Sequence, residues 1–167
     1  IPLPSAFKKI ESFSGIPGRL QRVNEIKKRH VFIDFAHTPD GMTKTIDAII
    51  SLRDELRLNS RIITVFGCGG DRDKLKRPMM AKIAEAKSDV VIVTSDNPRS
   101  ENPLSILDDI KKGFQNKKDK FFETNRSLAI KKAMEISKSG DVVLILGKGH
   151  EAFQIIGDKK YPFDDYT

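Results

Sequence analysis

The stretch Asp96-Asn97-Pro98-Arg99-Ser100-Glu101 follows an apolar run, residues 90–94, that reads as a buried strand. Pro98 has no N–H to give to a sheet and restricts Asn97 to extended geometry, so the chain must leave the sheet here. It leaves carrying a carboxylate, an amide, a guanidinium and a second carboxylate within six residues. Three other apolar runs end alike. Residues 31–35 open into Ala36-His37-Thr38-Pro39-Asp40, residues 62–66 into Gly67-Cys68-Gly69-Gly70-Asp71-Arg72-Asp73, and residues 142–146 into Gly147-Lys148-Gly149-His150-Glu151. In open α/β sheets, ligands sit in the crevice beyond the carboxyl ends of the strands. Four polar loops at four such ends make one site the economical reading.

The segments between these runs have helical patterning. Thr38-Pro39-Asp40 is a helix start: a capping Thr, Pro at the first helical position, then an acid near the positive end of the dipole. Met42, Ile46, Ile49, Ile50 and Leu56 follow at helical spacing. Pro78 is expected to open a helix to about Lys87, with Met79, Met80 and Ile83 inward. Asn102-Pro103 starts another, with Leu104, Leu107, Ile110 and Phe114 on one face. Phe121 and Phe122 lie on a short strand or connector. Asn125 caps a helix carrying Leu128, Ala129, Ala133, Met134 and Ile136, and Gly140 ends it. Residues 152–156 and 161–163, around Gly157-Asp158, read as a hairpin. Residues 19–26 alternate weakly, as an edge strand would, and 27–29 form a turn. Strand alternating with helix predicts an α/β fold, a doubly wound, mostly parallel (mixed) sheet with an antiparallel edge and flanking helices.

Residues 1–18 hold three prolines and two glycines. They read as a linker or the end of a preceding domain, with a short amphipathic helix over 6–13, and residues 19–167 as the domain itself. The chain does not begin with Met, so it is expected to be a piece of a longer protein. Its 167 residues suffice for one buried core, with 38% hydrophobic and 32% charged residues. No apolar run has the length of a membrane helix, which needs roughly 20 residues, and no signal peptide opens the chain. A single cysteine excludes an internal disulfide and fits a reducing cytosol, so the expected location is cytoplasmic.

Lys and Arg number 30 against 23 Asp and Glu, a net charge of +7. We read this as a Lys-rich solvated surface, with an anionic ligand as the sharper alternative. The basic residues are spread over helix faces, Trp is absent and Tyr occurs twice, so no base-stacking platform for a nucleic acid is present.

The loops set limits of their own. Successive N–H groups of Gly67 to Asp73 could cradle an anion, or the glycines could serve a tight strand-to-helix turn; Arg72 tips the reading toward binding. Cys68 reads as a small buried residue and not a nucleophile. No phosphate-binding G-x-x-x-x-G-K-[ST] and no dinucleotide G-x-G-x-x-G occurs. His30, His37 and His150 lack zinc-ligand spacing, and no metal site is expected. His30 is expected at the surface; for His37 and His150, at strand ends, ligand contact and a structural place are equally open. From residues alone the chain is an α/β domain for a small, multiply charged, zwitterionic ligand. Arg72 and Arg99 can grip carboxylates with forked bonds, and Asp96 and Glu151 can receive an ammonium group.

Six phrases in order then carry a resemblance: Gly18-Arg19-Leu20, Asp34-Phe35-Ala36-His37-Thr38-Pro39-Asp40-Gly41, Phe66 through Asp73, Lys76-Arg77-Pro78, Ser95-Asp96-Asn97-Pro98-Arg99, and Gly147-Lys148-Gly149-His150-Glu151. Together they closely resemble the carboxy-terminal, Rossmann-like domain of a Mur ligase, nearest to the members that add a diamino acid to UDP-MurNAc-L-alanyl-D-glutamate in peptidoglycan synthesis. The resemblance implies three domains in the whole protein, the central one carrying the P-loop and the magnesium ligands. This chain is then the third domain, ending before the family's last helix, with residues 1–18 as the end of the central one. The implied partners are ATP with Mg²⁺, the UDP-MurNAc-dipeptide, a diamino acid and the two missing domains, with no nucleic acid and no membrane. The implied reaction runs through an acyl phosphate. By the same resemblance Arg72, Asp96, Asn97, Arg99, Gly147 and Glu151 hold the diamino acid, while Arg19, Asp34 and His37 lie on the ATP side. Gln21 departs from the family's common Glu. No catalytic residue or metal ligand is expected on this chain, which alone should fold without hydrolysing ATP. The Asp-Asn-Pro-Arg form points to meso-diaminopimelate, with lysine or ornithine as alternatives. A stand-alone module binding an anionic metabolite or nucleic acid is the alternative of another class.

Overall fold

Every position of the three apolar runs 62–66, 90–94 and 142–146 is buried, because each forms an interior strand covered on both faces. The computed structural model describes residues 16–23, 28–55, 59–115 and 118–166. The expected helix over 6–13, the positions 24–27 of the edge strand and turn, and Leu56 lie outside the described residues.

In chain order the elements are β1 (Gln21–Arg22), β2 (His30–Asp34), α1 (Pro39–Glu55), β3 (Ile62–Cys68), α2 (Lys76–Lys87), β4 (Val90–Ser95), α3 (Pro103–Lys111), β5 (Asp119–Phe122), α4 (Arg126–Ile136), β6 (Val142–Leu146), β7 (Phe153–Ile156) and β8 (Lys159–Pro162). Strands β1 to β6 form one sheet in the order β1-β2-β6-β3-β4-β5, and β7 with β8 form a separate hairpin. β1 runs antiparallel to β2; the other pairings in the sheet are parallel. Register sets Asp34 opposite Leu146 and Cys68 opposite Ser95, so the carboxyl ends of β2, β6, β3 and β4 finish together.

Alternate residues of these strands face opposite layers. Phe66, Val91, Val93 and Leu144 pack with Met42, Ile46 and Ile49 of α1, Met80, Ala81 and Ala84 of α2, and Ile106, Leu107 and Ile110 of α3. Ile63, Val65, Ile92, Val143 and Ile145 pack on the other face with Ala129 and Ala133 of α4. A fully buried Val or Ile contributes about 2 kcal/mol relative to exposure. Asn102, Asn125 and Thr38 cap their helices as read, accepting from the N–H groups of Leu104 (2.9 Å), Leu128 (3.1 Å) and Gly41 (3.1 Å).

The corrections lie at element ends. α2 begins at Lys76, before Pro78, and buries an arc of small residues, Ala81 and Ala84 beside Met80. Met79 lies on the opposite side of that helix and is 53% exposed, not inward. In α3 the buried arc is Ile106, Leu107 and Ile110. Leu104 sits roughly 110° around the helix from the middle of that arc, and it is 61% exposed. α4 stops at Ile136, short of Gly140, and Ser137 follows as its C-cap. β3 continues through Gly67 and Cys68, which the sequence reading placed in the loop. His30 begins β2 and is half-buried instead of a surface residue. Among the described residues no helix is long and apolar enough to cross a membrane.

Candidate functional site

The four loops enclose a cleft of about 410 Å³ at the carboxyl end of the sheet. Its lining includes Phe35, His37, Arg72, Lys76, Asp96, Asn97, Arg99, Gly147 and Glu151. All six residues expected to hold a diamino acid are therefore brought together, with His37 beside them. Arg19 and Asp34 are not on the lining. The Asp34 carboxylate is occupied: it accepts from Leu20 N–H (2.7 Å), Ala36 N–H (2.8 Å) and the Thr45 hydroxyl (3.1 Å). It thus pins β1, the end of β2 and α1 to one another. The Arg19 guanidinium lies 4.9 Å over the Phe35 ring, which also contacts His37 and His150 at 4.7 and 5.5 Å between ring centres. Gln21 Oε1 accepts from Gly18 N–H at 2.7 Å, a bond that needs only the oxygen a Glu would also offer.

The cationic arm of the cleft comes from the β3–α2 and β4–α3 loops. A Cβ on Gly70 would lie 1.9 Å from Pro98 O, and one on Gly67 would lie 2.4 Å from Thr94 O. Only glycine lets the two backbones approach this closely. Gly70 N–H donates to Asn97 O (2.9 Å) and Asp71 N–H to Glu101 Oε1 (2.7 Å), so these groups face protein and do not cradle an anion. The close approaches at Gly67 and Gly70 fit the tight-turn reading, and the loop lines the cleft with Gly69, Arg72 and Asp73. Beneath both loops lies Arg77, fully buried. It donates to both oxygens of Glu101 (2.8 and 3.0 Å), to Asp109 (2.9 Å) and to Gly69 O (3.3 Å). The Arg77 hydrogen bonds hold the Glu101 carboxyl down at about 2.

Arg99 has φ of 52°, a left-handed conformation uncommon outside glycine. The hairpin holds it there: Arg99 N–H donates to Ile155 O (3.1 Å) and Arg99 O accepts from Gly157 N–H (2.8 Å). Its Nη1 donates to Gly70 O at 2.8 Å, and its Nη2 and Nε make no hydrogen bond to a described residue.

The acidic arm comes from the ends of β4 and β6. Asp96 is buried, its Oδ1 has no hydrogen-bond partner, and burial pushes its carboxyl pKa up. Gly147, at φ of 115°, approaches Asp96 so closely that a Cβ would lie 3.2 Å from Oδ2. Asn97 Nδ2 donates to Glu151 Oε2 at 2.9 Å, while Asn97 Oδ1 accepts from Ile155 N–H at 2.9 Å. Lys148 is fully buried beside them.

Phe35, Arg77 and Lys148 stood in the quoted phrases but were given no role of their own. For Lys148 the signal was present: a cation between two glycines directly after an all-apolar strand. Cys68 is buried, 3.7 Å from Met80 Sδ, and burial pushes its thiol up to about 12, which suits packing and not nucleophilic attack. Among the described residues no group of three or more His, Cys, Asp or Glu is placed to hold a metal ion. Two guanidiniums, the Lys76 ammonium and the three carboxylates of Asp73, Asp96 and Glu151 around one space can bind a zwitterion by charge-assisted hydrogen bonds.

A family model described as the Mur ligase, glutamate ligase domain matches residues 18–149. The UDP-N-acetylmuramoyl-L-alanyl-D-glutamate–2,6-diaminopimelate ligase of Fusobacterium nucleatum is 48% identical over 99% of this chain and 33% of its own length. The ligase of the same name from Coxiella burnetii is 44% identical over 99% of this chain and 33% of its own length. A solved structure of a ligase of that name superposes with a TM-score of 0.81 at 36% identity, covering 99% of this chain and 33% of that one. The chain thus spans about a third of the length of the curated relatives it matches. By sequence over most of its length and by fold, this chain belongs to the Mur ligase family, as its glutamate ligase domain.

Proposed function

We propose that this chain is the amino-acid-binding domain of an ATP-dependent ligase that adds meso-diaminopimelate to UDP-MurNAc-L-alanyl-D-glutamate in the cytoplasm. The observation that carries the reading is the charge arrangement of the cleft. Arg72 and Arg99 stand beside Asp96 and Glu151 around about 410 Å³. One end of meso-diaminopimelate presents a carboxylate and an ammonium, which pair with these groups. The other amino group, unprotonated, is left to attack an acyl phosphate made from the dipeptide and ATP, and phosphate leaves from the tetrahedral intermediate.

The part assigned to this chain is binding and orientation, with magnesium assigned to the central domain. His37 and Arg19, both in contact with the Phe35 ring, are assigned to the ATP side of the closed enzyme. Asp34 acts there through the backbone it pins, since its carboxylate is occupied. The names of the curated relatives and the free face of the Arg99 fork both support diaminopimelate over lysine and ornithine, which have no distal carboxylate.

The test is a set of specificity constants for diaminopimelate, lysine and ornithine in the intact ligase, with Arg99→Ala and Arg99→Lys. Losing one partner of a desolvated pair costs roughly 3 kcal/mol, about a hundredfold. Arg99→Ala is expected to raise KM for diaminopimelate by about that factor and leave KM for ATP unchanged. Arg99→Lys should rescue poorly, since an ammonium lacks the fork. A wild type that prefers lysine or ornithine, or an Arg99→Ala variant within a few-fold of wild type, overturns the assignment.

A further inference from the structure

We propose that Lys148 is a positioning residue for the diamino-acid site, a buried ammonium that fixes how Asn97 and Glu151 present themselves to the ligand; this rests on the function proposed above. The side chain has no solvent exposure, so it does not touch the ligand itself. Its Nζ lies 3.2 Å from Glu151 Oε2, 3.3 Å from Asn97 Oδ1 and within hydrogen-bonding reach of Phe153 O. An ammonium has three N–H groups and no acceptor, so these three oxygens saturate it.

Two consequences follow for the cleft. Lys148 and the Ile155 N–H can only donate, so Asn97 turns its oxygen toward both, and the Asn97 amide nitrogen is thereby directed at Glu151 (2.9 Å). Both bonds to Glu151 fall on Oε2, which holds that carboxylate by one oxygen and leaves Oε1 for a ligand. Asp96 Oδ1 stands 3.9 Å from Nζ, close enough to feel the charge but not hydrogen-bonded to it. The bond to Phe153 O ties the same ammonium to β7, whose next residues bind the turn: Gln154 Nε2 donates to Asp96 O, and Ile155 N–H to Asn97 Oδ1. One buried charge thus couples the end of β4, the loop after β6 and the hairpin.

The experiment is steady-state kinetics of the intact ligase with Lys148→Met, Lys148→Gln, Glu151→Gln and the Lys148→Met/Glu151→Gln double variant. Lys148→Met is expected to raise KM for diaminopimelate roughly tenfold or more, with KM for ATP within about twofold. Lys148→Gln, which restores two of the three N–H donors without the charge, should recover part of that loss. In the Glu151→Gln background Lys148→Met should add less than about threefold, because groups acting as a unit are non-additive. Additive effects, equal rises in KM for both substrates, or an unchanged KM for diaminopimelate overturn the positioning role. If neither Lys148 variant folds, Lys148 belongs to stability and the role is likewise overturned. A wild type that ligates no diamino acid overturns the functional reading and the inference together, whereas an active wild type with a neutral Lys148→Met overturns the inference alone.

Discussion

Arg77 and Lys148 are both fully buried cations beneath the same cleft, yet they keep different company. Arg77 faces carboxylates whose oxygens are all taken: Glu101 by Arg77 and Asp71 N–H, Asp109 by Arg77 and by Lys112 at 2.6 Å. Lys148 faces carboxylates that are not. Asp96 Oδ1 has no hydrogen-bond partner, and Glu151 directs both of its hydrogen bonds to one oxygen. Arg77 Nε has no hydrogen-bond partner, but every carboxylate oxygen around the guanidinium is taken, and a network with no free acceptor is a scaffold with no place for a further ammonium. A partly satisfied one retains capacity for a further donor, which is what a ligand's ammonium supplies. The Arg77 network holds the loops that carry Arg72 and Arg99, and the Lys148 network presents the acids.

The largest effect expected from this contrast is on stability, at Arg77. Arg77→Met keeps the apolar stem but takes the forked partner from Glu101 and one of two cations from Asp109, leaving Lys74 at 3.3 Å on Glu101 and Lys112 on Asp109; the two acid side chains are only 15% and 25% exposed. Breaking a buried pair by removing one partner costs roughly 3–5 kcal/mol, and the partial exposure of both acids places the expected loss at the lower end. Urea unfolding of the chain measures it. A loss below about 1 kcal/mol would erase the distinction between scaffold and site.

The sequence made the frame of this contrast legible and hid its supports. Three interior strands declared themselves because burial on both faces leaves no polar position, and Pro98, Pro39 and Asn102 marked where chain leaves or enters an element. Four of the cleft-lining residues, Arg72, Asp96, Arg99 and Glu151, were legible as charges at strand ends, while Asn97 and Gly147 were picked out only through the family resemblance. Arg77 was not, since a cation in a sequence looks solvated until its partners, 24 and 32 residues away, are folded around it, and Lys148 was marked only by its place between two glycines after an apolar strand. The same limit explains Met79 and Leu104. Their apolar character fits a core, but small alanines in α2 and Ile106 in α3 define where the buried arc lies. Gly70 was legible as a turn residue only; that it clears Pro98 O needed the second loop in place.

A smaller effect sharpens the scaffold side through pH. The Glu101 carboxyl sits at about 2 in the folded chain, against an ordinary 4.5, with Arg77 as the leading cause. A depressed acid contributes stability that is present above the ordinary value and is lost as pH falls through the folded one. The window for Glu101 therefore runs from about 4.5 down to about 2. The shift alone would give roughly 3 kcal/mol, and solvent screening at this partly exposed pair brings that to about 1–2 kcal/mol. Asp109 and Asp141 are also held below their ordinary values, by Lys112 with Arg77 and by Arg61, and add to the same acid limb. Unfolding free energies followed across the window should show a shallower acid limb in Glu101→Gln than in wild type, with the difference vanishing at the acid end. Parallel limbs would show that Arg77 does not depend on this partner.

The smallest stability effect is expected at Asp96, where a clear binding effect should accompany it. Burial raises the Asp96 pKa, with Arg126 and Lys148 opposing the rise in part. A raised acid has the opposite linkage to Glu101: its ionised form is disfavoured by folding, so it costs stability at neutral pH and the cost is relieved as pH falls toward the folded value. Asp96→Asn removes that charge at nearly constant volume and leaves the shape beside Gly147 intact. It also takes one countercharge from Lys148 and Arg126, which offsets the gain. The net change at neutral pH is therefore expected within about 1 kcal/mol of wild type, in either direction. The ligand has no such offset, because an amide cannot pair with an ammonium as a carboxylate does. KM for diaminopimelate in the intact ligase should rise by more than tenfold, about the factor that 1.4 kcal/mol represents, while urea midpoints barely move. An Asp96→Asn chain destabilised as deeply as Arg77→Met would mean that Asp96 is itself part of the scaffold, and that its orphaned oxygen is a packing compromise and not a place kept for a ligand.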